Sequence, residues 1–549
     1  MRLPSSLTPL RHHAFAWLWF GNAISAIGTW IQSTASAWVM TMLAPDPLMV
    51  SLILAAAQLP ILVLALPAGA LADRLDRKRL LVWSNLAMLA ASGLLAALQL
   101  LGLVDAWLLL LLTALLACFT ALNSPAWSSS VPLLVPRAEL PQALVLNSVG
   151  FNLARAVGPA LGGVIVAGGG AAVAFGANAL SFAIVAVIIG GLLVFPASTR
   201  PADLPPEPLV QAMRLGLRYA AYEPSLRAAL FRSAAFFGCA SAVWALLPLY
   251  VHNVLGLAAT SFGLLLASMG AGAVVGGLVM PRLRERYTPD TLVMLAGVVN
   301  AAALIPIAVM PGLTVAAIAM FVFGMGWIAA AASLQSTVQL ACAPWVQARG
   351  LAIYQAVYNG GMGFGAIGWG WLGMHAGVKG ALLAAGLGGI VIAVLARSQQ
   401  LPSEVPDPAA APQHSLPEFA VGAGLMEVLR TDAHPVLVSV AYVVGESDIA
   451  AFRRAMQGLR QSRHRDGATD WTLVRDIGRP EIWVEAFRLP DWSELRRAAL
   501  RFNALDDAMM QAALAFHRGD SAPEMRIFLA VYGTGSGHGH HWHPGMFRG

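Results

Sequence analysis

The sequence predicts an all-α polytopic membrane protein, with 12 transmembrane helices in two six-helix halves, followed by a C-terminal α+β soluble domain. Three observations carry that prediction. Long uncharged runs fill the first 397 residues: Leu48–Leu71 holds 24 residues without a charge and Leu80–Val104 holds 25, where about 20 apolar residues let a helix cross a bilayer. The gaps between runs are short, and basic residues gather in alternate ones, as a fixed orientation requires. After Arg397 the long runs stop, and shorter patterns with strand and helix periods replace them.

Composition narrows the class. With 549 residues, 58% hydrophobic and 11% charged, the chain is not an ordinary soluble enzyme. The net charge of +6 comes from residues beside predicted spans and in the tail region, so no nucleic-acid partner is expected; membrane lipid is. Cys118, Cys239 and Cys342 lie inside apolar runs without metal spacing, and no cofactor is expected. Arg2 and Arg11 ahead of an apolar segment, with Ala35-Ser36-Ala37 beyond, have the outline of a signal peptide. Asn22 and Gln32 interrupt that segment and it is too long, so it is expected to be a retained first span.

In order, the spans are about 15–42, 48–71, 80–103, 106–130, 142–168, 171–195, 226–251, 258–281, 290–311, 313–340, 350–375 and 378–396. With the N-terminus inside, the basic residues from 1 to 397 fall at cytoplasmic ends, Lys379 excepted, and an even span count puts the C-terminus inside too. Residues 1–195 form the first half and 226–397 the second. The connector, 196–225, opens on a proline-rich piece and continues with Leu209, Val210, Met213, Leu217 and Ala220 on one helical stripe opposite Arg214 and Arg218, the pattern of an interfacial amphipathic helix.

Between spans 2 and 3 stands GALADRLDRKRL, residues 69 to 80. Its Gly69, Asp73, Arg74, Arg77 and Lys78 match G-x-x-x-D-R-x-x-R-K, and the chain on this ground resembles the major facilitator superfamily. Asp76 stands where many members have glycine. A fainter echo, Gly277, Arg282, Arg284 and Arg286 with Pro281 in place of the acid, falls between spans 8 and 9, as an internal repeat would place it. In span 5, NSVGFNLARAVGPALGG carries Gly158, Pro159, Gly162 and Gly163, which is similar to the G-P-x-x-G-G pattern of exporters in that superfamily; small residues also let helices pack closely. The loop APWVQARGLAIYQAVYNGGMGFG before span 11 resembles the bacterial subfamily of enterobactin exporters and transmembrane secretion effectors. The superfamily resemblance covers residues 15 to 396. It implies a bacterial inner-membrane exporter working by proton antiport, with the basic loop and the span 5 glycines as conformational switch elements.

Residues 398–432 read as a linker. Then strands at 436–444, 470–476, 481–488 and 525–532 alternate with helices at 447–462 and 492–517 in the order of a ferredoxin-like domain, 433–533. That order resembles small monooxygenase-like domains that pair as dimers. It predicts self-association through the apolar row Val436, Val438, Val440 and Tyr442, and raises His464 and His517 as candidate cofactor contacts against capping roles. The Gly/His-rich tail, 534–549, holds His538, His540, His541 and His543, weak metal candidates or an inert extension.

The acids between 1 and 397 all lie near span ends, so no buried carboxylate offers itself as a proton carrier. The arginine signature that proton-coupled relatives carry in span 4 is also missing. Asp46, flanked by Pro45 and Pro47, is the coupling candidate, with a solvated loop acid as the alternative. The resemblance implies that spans 1, 4, 7 and 10 line a central cavity. Polar and aromatic residues there and in spans 2 and 11 are the substrate-binding candidates: Asn22, Trp30, Gln32, Gln58, Asn123, Trp244, Gln335, Gln339, Gln355, Tyr358 and Asn359. Each amide could equally stitch helices together. Such a cavity suits a bulky, amphipathic, largely neutral small molecule, siderophore-like or drug-like. A membrane-anchored monooxygenase-like enzyme and a lipid translocator stand as alternatives.

Overall fold

The computed structural model describes residues 5–192, 209–343, 345–401, 434–501 and 504–529. The chain forms two compact units, one of Met1–Arg200, Pro224–Cys342 and Val346–Val405, the other of Pro201–Glu223, Ala343–Trp345 and Pro406–Gly549.

The first unit is helical. Its elements are α1 (His13–Leu43), α2 (Pro47–Arg74), α3 (Arg77–Leu100), α4 (Ala106–Leu134) and α5 (Leu140–Val187); then, past α6 (Leu209–Tyr222) of the other unit, α7 (Pro224–Leu249), α8 (Ala259–Arg286), α9 (Pro289–Ala302), the short α10 (Leu304–Val309), α11 (Leu313–Ala341) and α12 (Gln347–Leu395). Among the described residues ten segments are long and apolar enough to cross a membrane. Two of them, α5 and α12, run to 48 and 49 residues, more than twice what one crossing needs. Each holds one non-helical residue, Gly170 at φ 80° and ψ 168°, and Gly377 at φ 71° and ψ 163°. Only glycine adopts that conformation without strain, and both fall where the sequence separates two spans.

Three of the acids at the span ends are helix caps. The Asp46 carboxylate accepts from the Leu48 and Met49 amides at 2.9 and 3.1 Å, Asp76 from the Arg79 amide at 2.8 Å, and Asp105 from the Leu108 amide at 2.8 Å. Each satisfies amides that the first turn leaves open. Asp76 in place of glycine is thereby explained.

Buried amides tie the helices together. Gln32 Oε1 accepts from Ser92 Oγ and Asn178 Nδ2, both at 2.6 Å, joining α1, α3 and the far arm of α5. Asn123 Oδ1 accepts from Ser84 Oγ at 2.8 Å and Asn85 Nδ2 at 3.2 Å, joining α4 to α3. In the second half the carboxylate of Asp290 binds Arg232 and, at 3.3 Å, Arg397, so α7, α9 and the end of α12 meet on one acid.

The second unit is an α+β domain with β1 (Val436–Val443), α13 (Ile449–Arg465), β2 (Thr469–Arg475), β3 (Ile482–Leu489), α14 (Trp492–Arg501), α15 (Ala504–Leu514) and β4 (Glu524–Leu529). The sheet is antiparallel in the order β2-β3-β1-β4. The first three strands agree with the sequence to within one residue, and β4 begins one residue early, 530–532 lying outside the described residues. The apolar row does not do what was expected of it. Val436, Val438, Val440 and Tyr442 are buried in the domain's own core, the last two packed with Phe452, Met456 and Leu459 of α13. The opposite face carries Leu437, Ser439, Ala441 and Val443, with Val474 and Phe528 exposed beside them.

The connector helix α6 belongs to this domain. Leu215 and Tyr219 are buried, the rings of Tyr222 and His464 stack at 5.3 Å, and Arg218 donates to the Gly467 carbonyl at 3.0 Å. The side that α6 buries is thus Leu215, Tyr219 and Ala220, whereas Leu217 of the stripe read as membrane-facing is exposed. Residues 343–345 join the same unit: the Ala343 amide donates to the Tyr219 hydroxyl at 3.2 Å, and the Arg501 guanidinium lies 4.6 Å over the Trp345 ring.

Candidate functional site

Arg155 is the centre of the site. The sequence reading places it with the basic residues of cytoplasmic ends. Instead it stands midway along the arm of α5 that precedes Gly170, half-buried in the helical unit with its Nε shut off from solvent. Its guanidinium carbon lies 5.6 Å from the Trp30 ring centre, 5.3 Å from Phe151 and 5.6 Å from Trp327, and within electrostatic reach of the Tyr354 and Tyr358 phenols. These are cation–π distances.

The rings also support one another. Trp30 and Trp244 stand 5.6 Å apart, Trp244 meets Trp327 edge to face at 5.9 Å, and Phe237 meets Trp327 and Tyr358 edge to face at 5.4 and 4.6 Å. The cage therefore draws on α1 and α5 from the first half of the sequence and on α7, α11 and α12 from the second.

Glycines set its walls. A Cβ on Gly158 would strike the Trp30 side chain and the Ile27 carbonyl oxygen, and one on Gly162 would meet Thr34 Cβ and Ile31 Cα at 3.0 and 3.1 Å. Small residues at these two positions bring α1 against α5 and hold Trp30 beside Arg155. Pro159 and Gly163 face α8, where the Pro159 carbonyl and Gly163 backbone lie against Gly263. At the Pro47 end of α2, likewise, Gly363, Gly370 and Gly373 of α12 fit against Leu59, Ser51 and Pro47.

The cage is rich in donors. Among the described residues no carboxylate pairs with Arg155, and its Nε has no hydrogen-bond partner; nor do the buried indole nitrogens of Trp244 and Trp327, or Asn147 Oδ1. Such an arrangement can clasp a flat apolar group between rings and present N–H groups to its polar edge.

Of the predicted substrate contacts, Trp30, Trp244 and Tyr358 come together here. Gln32 and Asn123 are occupied in the stitches above, and Asn359 is buried and donates to the Gln355 carbonyl at 2.7 Å. Asn22 and Gln58 are half-buried in α1 and α2, while Gln335, Gln339 and Gln355 are exposed. Of the switch residues, Arg77 and Lys78 form the first turn of α3; Gly69, Asp73 and Arg74 end α2, their side chains outside the described ones. The reading missed Arg155, Phe151 and Trp327 as cage members. A basic residue in the middle of a predicted span was the available signal.

In the second unit both candidate histidines have structural bonds. His517 Nδ1 accepts from the Val443 amide at 3.0 Å while its Nε2 lies 2.8 Å from the Ser521 carbonyl, and His464 Nδ1 lies 3.1 Å from the Ala468 carbonyl. Among the described residues no group of His, Cys, Asp and Glu is placed to hold a metal. His538, His540, His541 and His543 lie outside them.

The helical unit defines a class. Similar solved structures include a bacterial homologue of the human lysosomal transporter Spinster, with a TM-score of 0.58 over 71% of this chain and 96% of that one, and the nucleoside transporter NupG, with 0.56 over 70% and 98%; both are 13% identical. At that identity the likeness is of fold, the fold of major facilitator transporters. The chain belongs to the transmembrane secretion effector family, whose family model matches residues 4–534 and so extends beyond the helical region through the α+β domain. Relatives include the MFS-type transporter YfiS of Bacillus subtilis, 32% identical over 31% of this chain and 39% of YfiS. The enterobactin exporters EntS of Citrobacter koseri and Shigella boydii are each 27% identical, over 59% and 48% of this chain and 76% and 62% of their own lengths. The chain thus spans well under two thirds of YfiS and just under two thirds of the second exporter.

Proposed function

We propose that this protein is a secondary active exporter of a bulky amphipathic small molecule, siderophore-like or drug-like, working by alternating access in the bacterial inner membrane. The observation that carries the proposal is the aromatic cage, because its rings come from both halves of the sequence and a rocking motion of one half against the other would open and close it. In this reading α5 and α12 each cross the membrane twice, at Gly170 and Gly377, which makes twelve crossings with both termini cytoplasmic. The Gly163–Gly263 contact and the fit of α12 on the start of α2 then fall on the outer side, the arrangement of a cage closed outward. Coupling is to protons, with Asp46 as the candidate acid, and the switch elements are the α2–α3 loop and the α5 glycines. The second unit is a ferredoxin-like cytoplasmic domain, and we place self-association on its uncovered sheet face rather than on the row first expected.

The relatives named as enterobactin exporters support enterobactin as the first siderophore to try. In proteoliposomes with an imposed pH gradient, gradient-dependent movement of that siderophore or of an amphipathic dye is expected, reduced by Trp30→Ala and Trp244→Ala. Phospholipid translocation without movement of either compound would replace this reading with the lipid translocator.

A further inference from the structure

We propose that Arg155 recognises an acidic group on the transported molecule, so that the cage selects flat organic anions over their neutral counterparts. This rests on the exporter reading and sharpens its substrate class, away from the largely neutral molecule that the sequence suggests.

The argument begins with the cost of the cation. The Arg155 side chain is half-buried midway along a membrane-crossing arm, with its Nε shut off from solvent, and a charge held there is retained only when something compensates it. Trp30, Phe151 and Trp327 do so in part, through their ring faces at 5.3 to 5.6 Å. Rings attract the charge but accept no strong hydrogen bond, and a guanidinium carries its five N–H donors at its planar edge. Among the described residues no acid approaches that edge, and Nε has no partner. The Tyr354 hydroxyl, a neighbour that could have turned toward it, donates instead to the Ala331 carbonyl, at 3.5 Å.

Two further donors without partners, the indole nitrogens of Trp244 and Trp327, belong to the same cage. The site therefore offers positive charge, three unpartnered N–H groups and flat apolar walls. Its complement is a molecule with an ionised carboxylate, or a similarly acidic oxygen, fixed to an aromatic ring. The oxygens would take the arginine fork while the ring lies against Trp30 and Trp244.

The test uses the purified full-length protein in phosphatidylcholine nanodiscs, with quenching of tryptophan fluorescence as readout and two probes of equal shape, 1-naphthoate and its neutral amide. Saturable quenching by the acid at a concentration about tenfold below that of the amide is expected, the scale of one charge-assisted hydrogen bond. Arg155→Gln should abolish the preference and Arg155→Lys should keep part of it, with unchanged size-exclusion profiles showing that both variants are folded. Equal affinity for the two probes in the native protein, or the same preference in the glutamine variant, would overturn the proposal. So would displacement of naphthoate by short-chain phosphatidylglycerol at equal concentration, which would assign the site to a lipid headgroup. Because binding is read without transport, a protein that prefers the acid yet moves nothing across a membrane would refute the exporter reading alone.

Discussion

Gly163 and Gly263 touch backbone to backbone: a Cβ built on either would lie within 2.8 Å of the other's Cα. This contact joins α5 to α8, hence one half of the helical unit to the other. Gly163→Val should force the two helices apart. Overpacking of a close interface costs about 1 to 3 kcal/mol, which would shift a two-state equilibrium about 5- to 150-fold away from this arrangement. Efflux should fall accordingly, and a cysteine pair placed across α5 and α8 should cross-link less. Native cross-linking with native efflux would show that the contact is not part of the cycle.

Asp46 permits a clean separation of charge from capping. Asparagine caps a helix about as well as aspartate, so Asp46→Asn should leave expression and melting temperature within about 1 kcal/mol of native stability and still remove dependence on the pH gradient if this acid couples transport. Asp46→Ala should lose the cap as well. Gradient dependence that survives in the asparagine variant would move coupling to another group.

In the second unit Arg465 is a buried hub. It binds both oxygens of Asp506 at 2.6 and 2.7 Å, Asp466 at 3.1 Å and Glu223 at 3.6 Å, with its guanidinium 5.5 Å over the Tyr219 ring. Against the burial that would lower it, Asp466 and Asp506 hold the guanidinium above its ordinary range. Arg465→Met should break the buried Arg465–Asp506 pair, at a cost of about 3 to 5 kcal/mol. Proteolysis should then cut the segment 449–514 far faster than in the native protein, and the doubly substituted Arg465→Met, Asp506→Leu protein should recover part of the loss.

Asp466 gives the domain a pH dependence. Burial, with Asp506 adding repulsion, pushes its carboxyl up to about 6 although Arg465 pulls the other way. The folded state then holds this proton more tightly than an unfolded chain does. Its stabilising contribution is complete below about pH 4 and is lost as pH rises through about 6, a difference of about 3 kcal/mol. Melting temperatures at pH 4.5 and 7.5 should show that slope reduced in Asp466→Asn, whose neutral side chain keeps the low-pH condition throughout.

The sequence made the helices legible because a membrane crossing is a local property: one run of apolar residues, bounded by charge, decides it. It also separated the arms of α5 and α12 at residues 168–171 and 375–378, where Gly170 and Gly377 leave the helix. What it hid were choices of partner. Val436 to Tyr442 show alternation, but alternation alone does not say which face of a sheet the helices cover. The apolar spacing of α6 fits a membrane surface, yet the helix buries Leu215, Tyr219 and Ala220 and leaves Leu217 of the predicted stripe exposed. Arg155 carries the same charge as the loop arginines; its place in the middle of a predicted span sets it apart, but the convergence of rings from five helices on it is not written in the sequence. Gln32 and Asn123 have the polarity of cavity residues, yet their partners Ser92, Asn178, Ser84 and Asn85 lie 38 to 146 residues away in sequence.

The second unit is assembled from three separated stretches, 201–223, 343–345 and everything past 405. A stop codon after residue 401 would therefore not trim away an appendage. It would strip α6 of α13 and bare Leu215 and Tyr219, and it would leave Trp345 without Arg501. Chimeras that graft this tail onto another transporter of the family should fail for the same reason unless the connector and residues 343–345 travel with it. Inheritance of the three pieces is thus linked: a substitution in any one is screened by the other two, however far apart they are read from the gene.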